Sequence, residues 1–381
     1  MRDVLRIPDP REAEAIARLA TRDDFESRRI RRLLALPDLT RKPGSPVQMI
    51  VDAVVTLPRF QDFEVLEVPR VVSVEDNFNL LNTPPDHPSR QNTDTYYLDE
   101  QMVLRTHTTV MWSYHLRTPG VREKLLGGQS IGALCFGSVY RKDEIDRTHS
   151  PVFHQIDGWY LQPRSQGDVT VEDLKEVLGD IVRALYGSEV RWKTVPDQFP
   201  FTEPSLEVQV EVEGRTLEVL GSGLVHPSVL RNLGLDPAAV SGWAFGFGVD
   251  RLAMLKMRIP DIRILWSDDP RITSQFTSLD SIYRPVSRYP SIIRDISFVV
   301  SKEVSLNEYY EVVRDLGGDL VQEVKLLDRF ENAEKFGADK VSYTFRVVYQ
   351  SFERTLTSAE VDALHRSLEE QTRNRFSAVI R

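Results

Sequence analysis

Residues 136–158 read F-G-S-V-Y-R-K-D-E-I-D-R-T-H-S-P-V-F-H-Q-I-D-G. The apolar stretch Ala133–Tyr140 predicts a strand that ends by delivering Arg141. A polar loop with Asp143, Asp146 and His149 follows, and a second strand then carries His154, Gln155 and Asp157. An arginine at the end of a strand can pair bidentately with a phosphate and offset charge developing there. Two strands joined this way form a hairpin, which argues for an antiparallel sheet.

Further strands are expected at 63–68, 205–212 and 216–220, the last two joined by the hairpin signal Glu213-Gly214-Arg215. Gln48–Leu57 and Val171–Tyr186 have helical spacing, and Thr170 with Asp173 is placed as a capping box. Residues 82–89 form a long loop. Residues 242–251, G-W-A-F-G-F-G-V-D-R, start as a glycine-rich strand and end as a helix carrying Arg251. Closely spaced glycines let a ligand lie against the backbone. This is not the dinucleotide pattern, because the crossover and the following acidic residue are missing.

Upstream, residues 1–43 look helical, with Arg28, Arg29, Arg31 and Arg32 forming either a solvated helix face or an RNA-facing patch. Downstream, 287–381 follows β-α-β-β-α-β order, the ferredoxin-like pattern, with Thr357–Glu360 as a capping box. The boundaries expected are an N-terminal helical extension (1–46), a catalytic unit (47–280), a linker (281–286) and a C-terminal unit (287–381). The fold class is α+β: an antiparallel sheet flanked by helices, plus the ferredoxin-like domain.

A chain of 381 residues fits two or three domains. Its net charge of −9 means that any nucleic-acid contact must come from a local patch. The C-terminal unit has 14 Lys and Arg against 16 Asp and Glu. A single cysteine, Cys135, excludes a disulfide framework or a cysteine-based zinc site within one chain. No apolar run reaches the ~20 residues of a membrane span, and the acidic N-terminus resembles neither a transit peptide nor a secretory signal. A cytoplasmic protein is expected, or one of the mitochondrial matrix or plastid stroma if a leader precedes this sequence.

Arg141 with the loop running to F-H-Q resembles motif 2 of a class II aminoacyl-tRNA synthetase, and G-F-G-V-D-R (246–251) resembles motif 3. D-H-P-S-R (86–90), L-R-T-H-T (104–108), F-P-F-T-E-P-S (199–205), L-E-V-L-G-S-G (217–223) and I-P-D-I-R (259–263) narrow the resemblance to the phenylalanyl-tRNA synthetases. S-R-Y-P-S-I-I-R-D-I-S-F (287–298), G-G-D-L-V (317–321) and R-T-L-T (354–357) resemble that family's ferredoxin-fold anticodon-binding domain. With both units on one chain, the layout looks like the single-chain organellar type.

The resemblance implies a monomeric ligase that forms an aminoacyl adenylate from ATP, with Mg²⁺, and passes the aminoacyl group to tRNA(Phe). It implies that Arg141 holds the α-phosphate, Arg251 the γ-phosphate and His149 the outer phosphates, with Phe153, Gly246 and Gly248 completing the ATP site. Glu203 and Glu218 become candidate Mg²⁺ ligands, since Mg²⁺ prefers oxygen. His107, Thr109, Gln155 and Asp157 would surround the amino acid's ammonium and carboxylate groups, and Trp112 belongs to the same amino-acid site. Phe199 and Phe201, expected on one face of an extended segment, would wall its ring above an Ala244 floor. Candidate tRNA contacts are Arg294, Arg346, Arg354, Arg373, Arg375 and Arg381. Tyr343, Phe345 and Tyr349 share a strand face that either stacks on unpaired bases or packs on the helices.

Four positions depart from the family pattern: Thr109 for Ser, Trp112 for Gln, Asp157 for Glu and Asp250 for Glu. Replacing Glu by Asp withdraws a carboxylate by about 1.5 Å, enough to open a direct hydrogen bond. Three of the four lie on the amino-acid side. The alternatives are a paralogue with altered specificity or inhibitor resistance, a ligase with an acceptor other than tRNA, and a silent tRNA- or amino-acid-binding regulator.

Overall fold

The computed structural model describes residues 3–212, 214–286 and 289–381. Glu213 of the expected hairpin turn and Ser287 and Arg288 at the head of the C-terminal unit lie outside the described residues. The chain forms two compact units: the first holds 1–140, 152–259 and 273–283, the second 141–151, 260–272 and 284–381.

The strands of the first unit are β1 (Val4–Arg6), β2 (Glu64–Glu67), β3 (Val71–Ser73), β4 (Met102–Leu104), β5 (Ile131–Tyr140), β6 (Val152–Pro163), β7 (Arg191–Phe199), β8 (Thr202–Val212), β9 (Arg215–Val225) and β10 (Val240–Gly248). Eight of them form one sheet in the order β1-β2-β5-β6-β10-β9-β8-β7, and β3 and β4 pair separately. The sheet is antiparallel from β5 onward, as the hairpin pattern predicts, while β1–β2 and β2–β5 are parallel. β1 falls within the segment expected to be helical, because three residues are too few to display a period. β7 was not predicted either. It is an edge strand with Pro196 inside it, a position where the missing N–H costs no ladder bond.

β5 is buried along nearly its whole length, as a strand covered on both faces should be. Its Ala133 and Cys135 join a core with Met111, Trp112, Trp159 and Ala244. Burial pushes the Cys135 thiol up to about 11, so it stays protonated and unreactive at neutral pH. Helices Pro46–Val55, Val171–Tyr186 and Val249–Lys256 pack together against the sheet. The Thr170 capping box forms as read. Helices Pro10–Ala20 and Phe25–Ala35 occupy the N-terminal segment. Their arginine cluster is drawn into packing: Arg29 is buried over the Phe25 ring, Arg28 pairs with Asp23, and Arg31 donates to the Leu19 carbonyl.

In the second unit, β11 (Ile292–Ser301), helix Leu306–Gly317, β12 (Val321–Phe330), β13 (Lys340–Tyr349), helix Ser358–Phe376 and β14 (Val379–Ile380) follow the ferredoxin-like order. The sheet order is β12-β13-β11-β14. The Thr357 capping box forms, and Gly318 ends the first helix with a φ of 49° that favours glycine. Phe298, Tyr309, Tyr343, Phe345 and Tyr349 make one core with the helices. Among the described residues, no helix is long and apolar enough to cross a membrane.

Candidate active site

Three alternate rungs of the β6–β10 ladder build the floor of the candidate site. Gly248 faces Gln155, Gly246 faces Asp157, and Ala244 faces Trp159. Residues two apart on a strand share a face, so all six lie on one side of the sheet. Asp157 is buried there and accepts hydrogen bonds from Thr109 Oγ1 at 2.7 Å and from Thr108 Oγ1. Both hydroxyls come from the turn that begins helix Met111–Arg117. The two threonines therefore fix the position of the Asp157 carboxylate. Phe153 lies two residues before Gln155 on the same face of β6 and is partly exposed.

The apolar wall is aromatic. Trp112 stacks on Trp159 with centroids 5.2 Å apart and meets the edge of Phe201 at 6.1 Å. Phe199 and Phe201 stack on each other at 5.9 Å. They do so across the β7–β8 turn, not along an extended segment as expected. The turn is braced by Asn82 Nδ2, which donates to the Pro200 carbonyl, and by the His226 N–H, which donates to that of Phe201. Gly221 is required opposite it, since a Cβ there would sit 2.7 Å from the Phe199 ring. His107 lies 6.2 Å from Phe201. Two buried polar atoms on these walls, Gln155 Oε1 and Trp112 Nε1, have no hydrogen-bond partner among the described residues. An unmet buried donor or acceptor costs about 1–3 kcal/mol, so such atoms mark places for ligand groups or water.

Arg251 is exposed in the first turn of helix Val249–Lys256 and has no ion-pair partner among the described residues. Its neighbour Asp250 is buried and points the other way. It accepts from the His154 main-chain N–H at 2.6 Å and from His154 Nδ1 at 3.1 Å. His154 Nε2 accepts from the Leu39 N–H at 3.1 Å, so the ring's proton sits on Nδ1. This fully buried imidazole ties β6 and the segment at Leu39 to the helix that presents Arg251. Sequence reading quoted His154 and Asp250 without this role. The only signal was a histidine at an inward-facing position of the strand, between Val152 and Ile156 on the same face.

Glu203 and Glu218 do not form a shared ion site. Glu203 sits beside the Thr202–Val225 rung, whereas Glu218 pairs with Gln209. Seven residues of β9 separate those rungs, roughly 20 Å at strand spacing. Glu203 lies 3.2 Å from His226, Glu218 is exposed, and no cluster of three potential metal ligands occurs among the described residues.

In the second unit, the loop 141–151 is closed by the Arg141 N–H donating to the Pro151 carbonyl at 3.1 Å. Asp146 organises it: one oxygen accepts from the N–H groups of Thr148 and His149, the other lies 2.8 Å from His149 Nδ1. The hydrogen bond to Asp146 raises the His149 pKa, with Asp143 and Glu144 adding to it. Burial opposes ionisation of Asp146, but the bonds from His149 and Thr148 outweigh it and hold its carboxyl well below the usual range. Ile145 enters the core with Phe298, and its carbonyl accepts from the Val324 N–H.

Three of the six candidate C-terminal arginines are paired with carboxylates. Arg294 pairs with Asp362, Arg346 bidentately with Asp295, and Arg354 with Glu360. Arg381 donates to Ser342, while Arg373 and Arg375 are exposed in the last turn of helix Ser358–Phe376. Tyr343, Phe345 and Tyr349 are buried against the helices, which decides between the two readings left open for that face.

Residues 36–276 match the family profile described as the tRNA synthetases class II core domain (F), and residues 287–381 match the ferredoxin-fold anticodon binding domain. The chain is 35% identical over 378 residues to a mitochondrial phenylalanine–tRNA ligase of Dictyostelium discoideum, covering 85% of this chain and 80% of that protein. It is 40% identical over 334 residues to a chloroplastic/mitochondrial phenylalanine–tRNA ligase of Arabidopsis thaliana, covering 85% and 73%. It is also 40% identical over 234 residues to a phenylalanine–tRNA ligase alpha subunit of Coxiella burnetii, covering 61% and 67%. The fold and these matches define a class II aminoacyl-tRNA synthetase, and within that class the chain belongs to the phenylalanine–tRNA ligase family.

Proposed function

We propose that this protein charges tRNA(Phe) with phenylalanine, using ATP. The observation that carries the reading is Asp157, a buried carboxylate held by two threonine hydroxyls at the end of an aromatic-walled site. It suits an ammonium group on a substrate whose side chain is an aromatic ring. Gln155 and His107 flank the same end, and Phe199, Phe201, Trp112 and Ala244 take the ring.

In the first step a carboxylate oxygen of phenylalanine attacks the α-phosphorus of ATP. The bond to the bridging oxygen breaks, pyrophosphate leaves, and a mixed anhydride with AMP forms. In the second step a hydroxyl of the terminal tRNA ribose attacks the anhydride carbonyl, and AMP leaves. Positioning and charge neutralisation do the work. Arg141 is assigned to the α-phosphate, Arg251 to the γ-phosphate and His149 to the outer phosphates; Phe153, Gly246 and Gly248 are assigned to the nucleotide. Class II synthetases generally use ATP with Mg²⁺. Glu203 and Glu218 are too far apart to share an ion, and no step above depends on them.

The division at 47–280 and 287–381 belongs to the same proposal and is supported by the spans of the two family profiles. Within the C-terminal unit, Arg373 is a better-placed RNA contact than Arg294, Arg346 and Arg354, which are held by carboxylates; Arg375 and Arg381 stay assigned to the same role. One chain carrying both units supports a monomer. The names of the relatives, mitochondrial and chloroplastic, favour an organellar compartment over the cytoplasm.

The test is amino-acid-dependent ATP–pyrophosphate exchange with all twenty amino acids, followed by charging of tRNA(Phe). Exchange and charging with phenylalanine are expected. Exchange with another aromatic alone would overturn the specificity, and no exchange at all would overturn the enzyme.

A further inference from the structure

Helix Met111–Arg117 meets the indole of Trp159 twice. Trp112 stacks on its face at 5.2 Å and an interplanar angle of 8°. One turn on, His115 Nδ1 accepts the Trp159 Nε1–H at 3.0 Å. Residues three apart on a helix share a face, so one helix holds one indole by its ring and by its only donor. His115 is buried, and its Nε2 lies 3.2 Å from Glu64 Oε2 on β2. Because Nδ1 accepts, the proton must be on Nε2, and Glu64 is its acceptor: the carboxylate sets the tautomer that Trp159 needs. Glu64 is about one-third exposed and lies 3.8 Å from Lys124. The bond from His115 holds the Glu64 carboxyl below its ordinary range.

The opposite side of the same helix is held separately. Ser113 and Arg117 both donate to the fully buried Asp76, at 2.8 and 2.6 Å, and the Tyr114 hydroxyl donates to Asp9 at 2.9 Å. The helix backbone is therefore a fixed support for the grip on Trp159. Trp159 is in turn the cross-strand partner of Ala244 and lies two residues from Asp157 on one face of β6.

We infer that Glu64 and His115 are positioning residues for amino-acid selection: they fix the plane of Trp159, and through it the Trp112–Phe201 wall and the Ala244 floor against which the substrate ring is measured. The inference rests on the pocket reading given above. A methylene-sized misfit is worth only about 10–200-fold in discrimination, so selection depends on a wall that does not yield.

The test is ATP–pyrophosphate exchange by the full chain with phenylalanine and para-chlorophenylalanine, for Glu64→Ala, Glu64→Gln, His115→Leu and Phe201→Ala. Glu64→Ala and His115→Leu are expected to raise the KM for phenylalanine about tenfold and to lower the preference for phenylalanine over its chloro analogue by a similar factor, equivalent to ~1.4 kcal/mol. The kcat and the KM for ATP should stay within about twofold. Glu64→Gln should restore the wild-type values, because its amide oxygen still accepts from Nε2–H. Unchanged phenylalanine KM and preference in Glu64→Ala and His115→Leu, with Phe201→Ala raising KM, would overturn the inference and leave the pocket standing. A parallel loss of kcat, ATP affinity and melting temperature would also overturn it, as the signature of a merely structural role. If Phe201→Ala leaves the phenylalanine KM unchanged as well, the pocket reading itself falls and takes this inference with it.

Discussion

Gly246 stands directly across the β6–β10 ladder from Asp157, so close that a Cβ on it would lie 2.6 Å from the Asp157 carboxylate. The absence of a side chain at 246 is therefore a condition for the carboxylate's position under Thr108 and Thr109. Gly246→Ala should destabilise the chain by about 1–3 kcal/mol through overpacking and raise the KM for phenylalanine at least tenfold. In an Asp157→Ala background the added methyl has nothing to strike, so the stability cost of Gly246→Ala should largely vanish. Denaturant melts of the four proteins in this cycle measure the coupling directly.

Arg251 offers a cleaner separation of function from stability. Its guanidinium is exposed and its helix is anchored by Asp250 through His154, not by Arg251 itself. Arg251→Ala should shift stability by no more than about 0.5 kcal/mol. It should slow pyrophosphate exchange by about 10²–10³-fold, the scale of removing one charge-stabilising donor. A loss of activity matched by a loss of folding would contradict the phosphate assignment.

The His149–Asp146 pair predicts a pH signature. His149 has a raised pKa in the folded chain, so its contribution is fully present below its unfolded value of 6.5 and is lost as pH rises through the folded value. Asp146 has a lowered one, so its contribution is present above 3.8 and is lost as pH falls through its folded value. The pair is thus complete from about pH 4 to 6.5. Asp146→Asn should move the His149 titration, followed by NMR of the ring protons, down toward its ordinary value. If the imidazolium contacts ATP, the KM for ATP should rise as pH climbs through the folded His149 value. That pH at which it rises should fall in Asp146→Asn.

RNA binding should distinguish arginines by their existing partners. Arg373→Ala removes an exposed charge at the end of helix Ser358–Phe376 and should weaken tRNA binding while lowering the salt slope by about 1. Arg346→Ala removes a guanidinium already held at 2.8–2.9 Å by Asp295 and should change the slope less. Filter binding between 50 and 200 mM salt compares the two, on the order of the range where such contacts dominate.

Much of the fold is legible in the sequence. The helix at 171–186 announced itself by its 3.6-residue period and its Thr170 cap, and the C-terminal unit by its β-α-β-β-α-β order. β1 and β7 were missed because one is three residues long and the other lies half-exposed at the sheet edge without a clean alternation. The candidate phosphate and amino-acid residues came from long motif strings in which residue type and spacing are both constrained by the ligand.

What the sequence determined by itself is local: which residues share a face, where a helix starts, where a glycine run brings backbone near a ligand. Those follow from the periods of strand and helix and from caps that span three or four positions. Which face meets which partner was decided only by tertiary structure. Thr108 and Thr109 reach Asp157 from about fifty residues away, His154 meets Asp250 across 96, and Trp159 finds its acceptor on His115 across 44. Tyr343, Phe345 and Tyr349 share a face by parity, yet only the packing of the two helices shows that this face is covered. Glu203 and Glu218 were both candidate Mg²⁺ ligands by residue type, and only the β8–β9 register shows how far apart they lie. Strand register and helix docking are long-range pairings, set by the burial of whole faces at once, and no short window of sequence contains them.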